Sequence, residues 1–215
     1  MNAAWMASIV VETVCAAFAI RARRWWRVFA FYLCADIALS LGLLTINPRT
    51  RMYFLAYVAC RVVTVVLLAL VVHEAVTVES TRNRVASAML SAGVRWRGMA
   101  VGLALAVGTT LLITPSTTWT QGHRSALAIL RVGTVLLVGW LAAATATARI
   151  VPSPWKPAAK HRIWLLAYIG GNLIASVLMD ITGPEGLRVI NHGQQIWVAL
   201  CYSTWPLMVA IPAKS

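Results

Sequence analysis

Apolar residues gather into seven stretches separated by short polar, basic or proline-containing segments. They run over residues 3–20, 28–46, 52–72, 98–114, 125–147, 163–182 and 196–211. Each lies near the ~20 residues that a helix needs to cross a hydrocarbon core of about 30 Å. The pattern predicts an all-α membrane protein: a single-domain seven-transmembrane helix bundle, residues 1–215. The first stretch has no Lys or Arg before it and is followed by Arg21, Arg23, Arg24 and Arg27. That polarity is the reverse of a cleaved signal peptide, so this segment is expected to stay as a helix with its N-terminus outside.

Several stretches carry one polar face each at helical spacing. Ser8, Glu12 and Cys15 align in the first, and Tyr32, Asp36 and Ser40 in the second. The third presents Tyr53, Tyr57, Arg61 and Thr64, the fifth Arg131 and Thr134, and the sixth Tyr168, Asn172, Ser176 and Asp180. The seventh places Gln195 and Tyr202 on one side, after Asn191. The fourth has instead the small residues Gly98, Gly102 and Ala106, suited to close helix contact. Arg61 lies nine residues from Met52, about 13 Å along a helix, and its guanidinium cannot shed its proton. Glu12 and Asp36 lie at a similar depth. An unpaired charge at that depth costs at least about 3 kcal/mol. Glu12 and Asp36 are therefore expected to face Arg61, with Arg131 joining them.

Charge placement sets an orientation. Of the 19 Lys and Arg residues, most fall in segments 21–27, 73–97 and 148–162 and at Lys214. Only Arg49, Arg51, Arg124 and Arg188 fall in the alternate loops. The positive-inside rule then puts the C-terminus inside and predicts a multi-pass protein of the cell inner (plasma) membrane. Tryptophans near the ends of the stretches fit interfacial belts. The formal net charge of +13 is thereby a topology signal, with anionic lipid headgroups as secondary partners of the basic face. Nucleic acid is not expected as a partner. The bilayer is, because 60% of residues are hydrophobic and 12% charged, against about 25% charged in a soluble domain.

The chemistry sought and not found narrows the function. There is no His-Glu-x-x-His, no Gly-x-Ser-x-Gly and no phosphate-binding glycine loop. His73 and Glu74 are adjacent and point to different sides of a helix, so they make no metal face. No lysine falls within a stretch, which excludes a retinal Schiff base. Cys15, Cys34, Cys60 and Cys201 all sit in apolar surroundings without Cys-x-x-Cys spacing, the pattern of small buried hydrophobes. No cofactor, metal site or catalytic residue is expected.

Three stretches resemble a family of uncharacterised small seven-span bacterial membrane proteins. They are Tyr53-Phe54-Leu55-Ala56-Tyr57 running on to His73-Glu74, Arg131-Val132-Gly133 with the later Pro154-Trp155-Lys156, and Ile190-Asn191 through Ile196-Trp197 to Tyr202. The resemblance implies the same span count and importance for Glu74, Arg131 and Asn191, and it supplies no substrate. The leading expectation is non-enzymatic binding of a small molecule or ion, in a receptor-like sensor or small transporter. The pocket would be a polar core of Glu12, Asp36, Arg61, Arg131, Tyr53, Tyr57, Asn172, Asp180 and Tyr202. The second reading is an accessory subunit of a membrane complex in which the buried charges serve packing alone. A lipid-modifying intramembrane enzyme is the third. A sensor without an output domain needs a separate membrane or cytoplasmic protein partner, reached through the basic segment 73–97.

Overall fold

The computed structural model describes residues 3–22, 26–47, 50–80, 131–142, 144–145 and 156–209. All the regular structure among them is helical. We label the helices α1 (Ala3–Arg21), α2 (Arg27–Leu44), α3 (Arg51–Ser80), α4 (Arg131–Ala142) and α5 (Lys156–Val209).

Local chemistry explains the ends. Helix α2 stops at Thr45, whose hydroxyl donates to the Gly42 carbonyl at 2.8 Å, and Pro48 follows. Thr50 then opens α3 as an N-cap, its Oγ1 accepting the Tyr53 N–H at 3.2 Å. The start of α2 is different. Trp26 precedes the helix and offers no side-chain cap. The carboxylate of Glu74, far along α3, accepts the N–H groups of Val28 at 2.8 Å and Phe29 at 3.0 Å. A negative group supplied by another helix thus satisfies the orphan donors and the positive end of the α2 dipole.

Helix α5 has 54 residues, and a straight helix of that length would run about 80 Å. It does not run straight. The Trp164 indole donates to the Cys201 carbonyl at 2.6 Å. The Trp205 indole donates to His161 Nδ1 at 2.7 Å, across 44 residues. Gln194 Nε2 donates to Asn172 Oδ1 at 2.7 Å. These pairs are all centred near Gly183-Pro184, so α5 folds back there into two antiparallel arms. Proline has no N–H to continue the ladder and glycine tolerates the bend.

The seven-span bundle with an outside N-terminus is overturned. Among the described residues, three helices rather than seven are long and apolar enough to cross a membrane: Arg27–Leu44, Leu55–Val76 and Lys156–Met179. The expected sixth and seventh spans are arms of the single element α5. The apolar run of its return arm, 196–209, covers only about 21 Å, short of the hydrocarbon thickness. The described part of the expected fifth span, α4, is a shorter apolar helix. The expected span at 98–114, and the start of the fifth, lie outside the described residues. The orientation derived from the span count falls with it. What stands is a membrane protein with three helices that can span a bilayer. Its outward faces fit that setting. Val10, Val14 and Phe18 on α1, Phe31 on α2, Val62, Val66 and Leu70 on α3, and Ile174 and Ile181 on α5 are all exposed, a surface lipid accepts and water does not.

The core lies where α1, α2, α3 and α5 meet. Cys15, Ala16 and Ala19 let α1 approach the others closely, while Trp26, Phe29, Tyr32 and Leu33 of α2 fill the centre. Helix α4 adds Leu137 and Leu141. A Cβ on Gly133 would stand 2.8 Å from Val65 Cγ1, so that glycine sets the contact between α4 and α3.

Replacing Glu74 by Ala should destabilise the protein by about 1–2 kcal/mol through loss of the cap. Glu74→Gln should recover part of this, because an amide oxygen still accepts. Unfolding of the detergent-purified variants checks it. An unchanged midpoint for Glu74→Ala would remove the capping role.

Candidate functional site

The chain direction of the helices brings the start of α1, the end of α2, the start of α3 and the bend of α5 to one end of the bundle. A cavity of about 460 Å³ opens there, lined by residues of all four. Asp36 comes from α2, Tyr53, Tyr57 and Arg61 from α3, and Asn191, Gln194 and Gln195 from α5, with Trp5 of α1 at the rim. This volume lies within the usual range of ligand sites.

Arg61 is the cation of the cavity. Its guanidinium carbon stands 5.2 Å from the centroid of the Tyr57 ring, a cation–π contact, and Tyr53 stacks behind Tyr57 with ring centroids 6.5 Å apart. Protein surrounds Arg61, yet its side chain remains accessible through the cavity. Asp36 is held by Thr64, whose hydroxyl lies 3.1 Å from Asp36 Oδ1 and 3.0 Å from the Cys60 carbonyl. A single hydroxyl proton serves both acceptors, so Asp36 keeps lone pairs for a ligand.

Deeper in, a pocket of about 160 Å³ shares Tyr57, Arg61, Thr64, Met179 and Gln194 with the outer cavity. It adds Arg131 and Thr134 of α4 and Tyr168, Asn172 and Ser176 of α5. Asn172 is fixed at both ends, donating to the Tyr168 carbonyl at 2.8 Å and accepting from Gln194. Beneath lie three fully buried or nearly buried phenols. Tyr32 and Tyr168 hydroxyls are 2.9 Å apart, Tyr202 donates to Tyr168 at 2.9 Å, and Tyr32 and Tyr202 are 3.3 Å apart. Glu12, 5% exposed on α1, interacts with Asp36, Tyr202 and Arg61. Its Oε1 accepts no hydrogen bond among the described residues.

The structure therefore gathers Asp36, Arg61, Tyr53 and Tyr57 at the mouth, and Arg131 and Asn172 in the inner pocket. It sets Tyr202 below and Glu12 behind Asp36. The side chain of Asp180 lies outside the described residues. Asp36 takes the Thr64 hydroxyl and lies against Glu12, while Arg61 interacts with both Asp36 and Tyr57. Sequence reasoning missed Gln194, which borders every space here. Its place three residues after Asn191, on one helix face, is the signal that marks it. Tyr32 and Tyr168 were visible in their stripes, but not their role as a joint floor. Of the residues singled out by the family resemblance, Asn191 lines the mouth and Arg131 the inner pocket, whereas Glu74 caps α2 at the opposite end.

The opposite end is aromatic. His161 is fully buried, accepts from Trp205 and stacks among Trp26, Phe29 and Trp164. Among the described residues, no three His, Cys, Asp or Glu side chains converge as metal ligands would. No known protein family, curated protein or solved structure matches the chain.

Cys60 lines the cavity, whereas Cys15 and Cys201 are buried. In a Cys34→Ala background, a water-soluble maleimide should label Cys60 and spare the other two. Mass spectrometry of the labelled protein reads this directly, and an unreactive Cys60 would mean that water does not enter.

Proposed function

We propose that this protein is a multi-pass protein of the cell plasma membrane. Its polar cavity binds a small solute bearing an anionic group, in a non-enzymatic sensor or small transporter. The observation that carries the reading is room beside a charge. Arg61 has an exposed side chain that lines a cavity of about 460 Å³ together with Asp36. A network serving packing alone would close that space, because an unfilled cavity among polar groups forfeits both contacts and hydrogen bonds.

The lining suits a solute with more than one kind of polar group. The Arg61 fork matches a carboxylate or phosphate. Asp36 accepts from a hydroxyl or ammonium, and Asn191, Gln194 and Gln195 offer both donors and acceptors. The Tyr53 and Tyr57 rings form an apolar wall. The inner pocket with Arg131 extends the positive region, so the anionic end of the solute points inward and the hydroxyl or ammonium outward.

The test is binding to the purified full chain in detergent, using glycerol 3-phosphate, acetate and inorganic phosphate as probes. Protection of Cys60 from maleimide and calorimetry give the readouts. Arg61→Gln should weaken the bound probe by about 10- to 100-fold, the worth of a charge-assisted hydrogen bond. Arg61→Lys should fall between, since it keeps the charge and loses the fork. Affinity unaltered by Arg61→Gln would refute an anion site at this residue.

A further inference from the structure

A second space lies on the other side of Gln194. Between the two arms of α5 runs a groove of about 590 Å³, lined by Gly170, Gly171, Ile174 and Leu178 of one arm and Ile190, Gly193, Gln194 and Trp197 of the other. Its wall is almost wholly hydrocarbon and bare backbone. The Trp197 ring lies directly on Gly171, leaving no room for a Cβ there. At Gly170 and Gly193 a Cβ would meet nothing within 4 Å. Those glycines are therefore not spent on helix contact. They leave space that other side chains would fill.

Two facts connect this groove to the polar cavity. Gln194 lines the groove, the outer cavity and the inner pocket together, and its side chain, tied to Asn172 Oδ1, stands where they meet. The groove also belongs to Lys156–Met179, one of the helices able to cross a membrane, and it runs toward the bend of α5, the end where the cavity opens. An apolar trough and an anion site thus meet at one residue. A small soluble anion would use only the second.

We infer that the ligand of this site is a single-chain amphiphile, with a carboxylate or phosphate head on Arg61 and its alkyl chain in the groove between the arms of α5. This rests on the binding reading above and adds the tail. A bilayer supplies such molecules at high local concentration, and alkyl burial adds about 0.8 kcal/mol per methylene. Part of that is already satisfied by lipid around the free protein. The chain therefore contributes mainly through fit, and the head through charge.

The test compares 1-oleoyl lysophosphatidate, oleate and glycerol 3-phosphate on the full chain in nanodiscs of neutral lipid. The long-chain probes should bind at least tenfold tighter than glycerol 3-phosphate. Gly170→Leu should abolish that advantage while leaving glycerol 3-phosphate binding unchanged, and Ile174→Trp should do the same by a different route. Arg61→Gln should weaken all three. A preference for oleate assigns the head as a carboxylate, and a preference for lysophosphatidate as a phosphate. Two results overturn the inference: a chain-length advantage that survives both groove variants, or long-chain binding indifferent to Arg61→Gln. No long-chain advantage in the unsubstituted protein, with glycerol 3-phosphate binding still sensitive to Arg61→Gln, would leave the polar site standing and remove only the amphiphile.

Discussion

Three phenolic hydroxyls with no access to water hold the centre of this protein together. Tyr32 on α2 meets Tyr168 and Tyr202, one from each arm of α5, within 3.3 Å. A hydroxyl left unpaired in such surroundings costs on the order of 1–3 kcal/mol, so each tyrosine requires the other two. The triangle ties the fold-back of α5 to α2. Once both arms are pinned to α2, the positions of α1 and α3 follow from packing around them.

The two ends of the bundle then diverge. At one end the aromatic rings of Trp26, Phe29, Trp164 and Trp205 crowd around His161. The carboxylate of Glu74 clamps the start of α2 in place. At the other end Trp5, Tyr53 and Tyr57 stand among polar side chains, and the space between them is a cavity. The phenol triangle is the boundary between these regions.

Charge has a different role in each half. Glu74 works as a structural group: its negative charge meets the N–H groups of a helix terminus and nothing else need be added. Arg61 and Asp36 share a cavity without closing on each other, so each retains capacity. Tyr57 stabilises the guanidinium through its ring and a side-chain hydrogen bond, and Thr64 orients the carboxylate. Arg61 and Asp36 both line the cavity, which is what the proposed ligand site requires.

The sequence by itself determined the helical class, the membrane setting and one polar face per helix. These depend on the length of apolar runs and on the 3.6-residue period, both local properties. It thereby brought Asp36, Arg61, Tyr53 and Tyr57 forward as a set. Only the tertiary structure decided that residues 156–209 form one doubled-back element rather than two independent spans, since that rests on contacts such as Trp164 to Cys201 across 37 residues. It also decided that Glu74, one of six acidic residues, belongs to a helix cap 46 residues away. The meeting of cavity and groove at Gln194 was equally illegible. A cavity is what packing leaves unfilled, and no residue type or spacing along a chain specifies empty space.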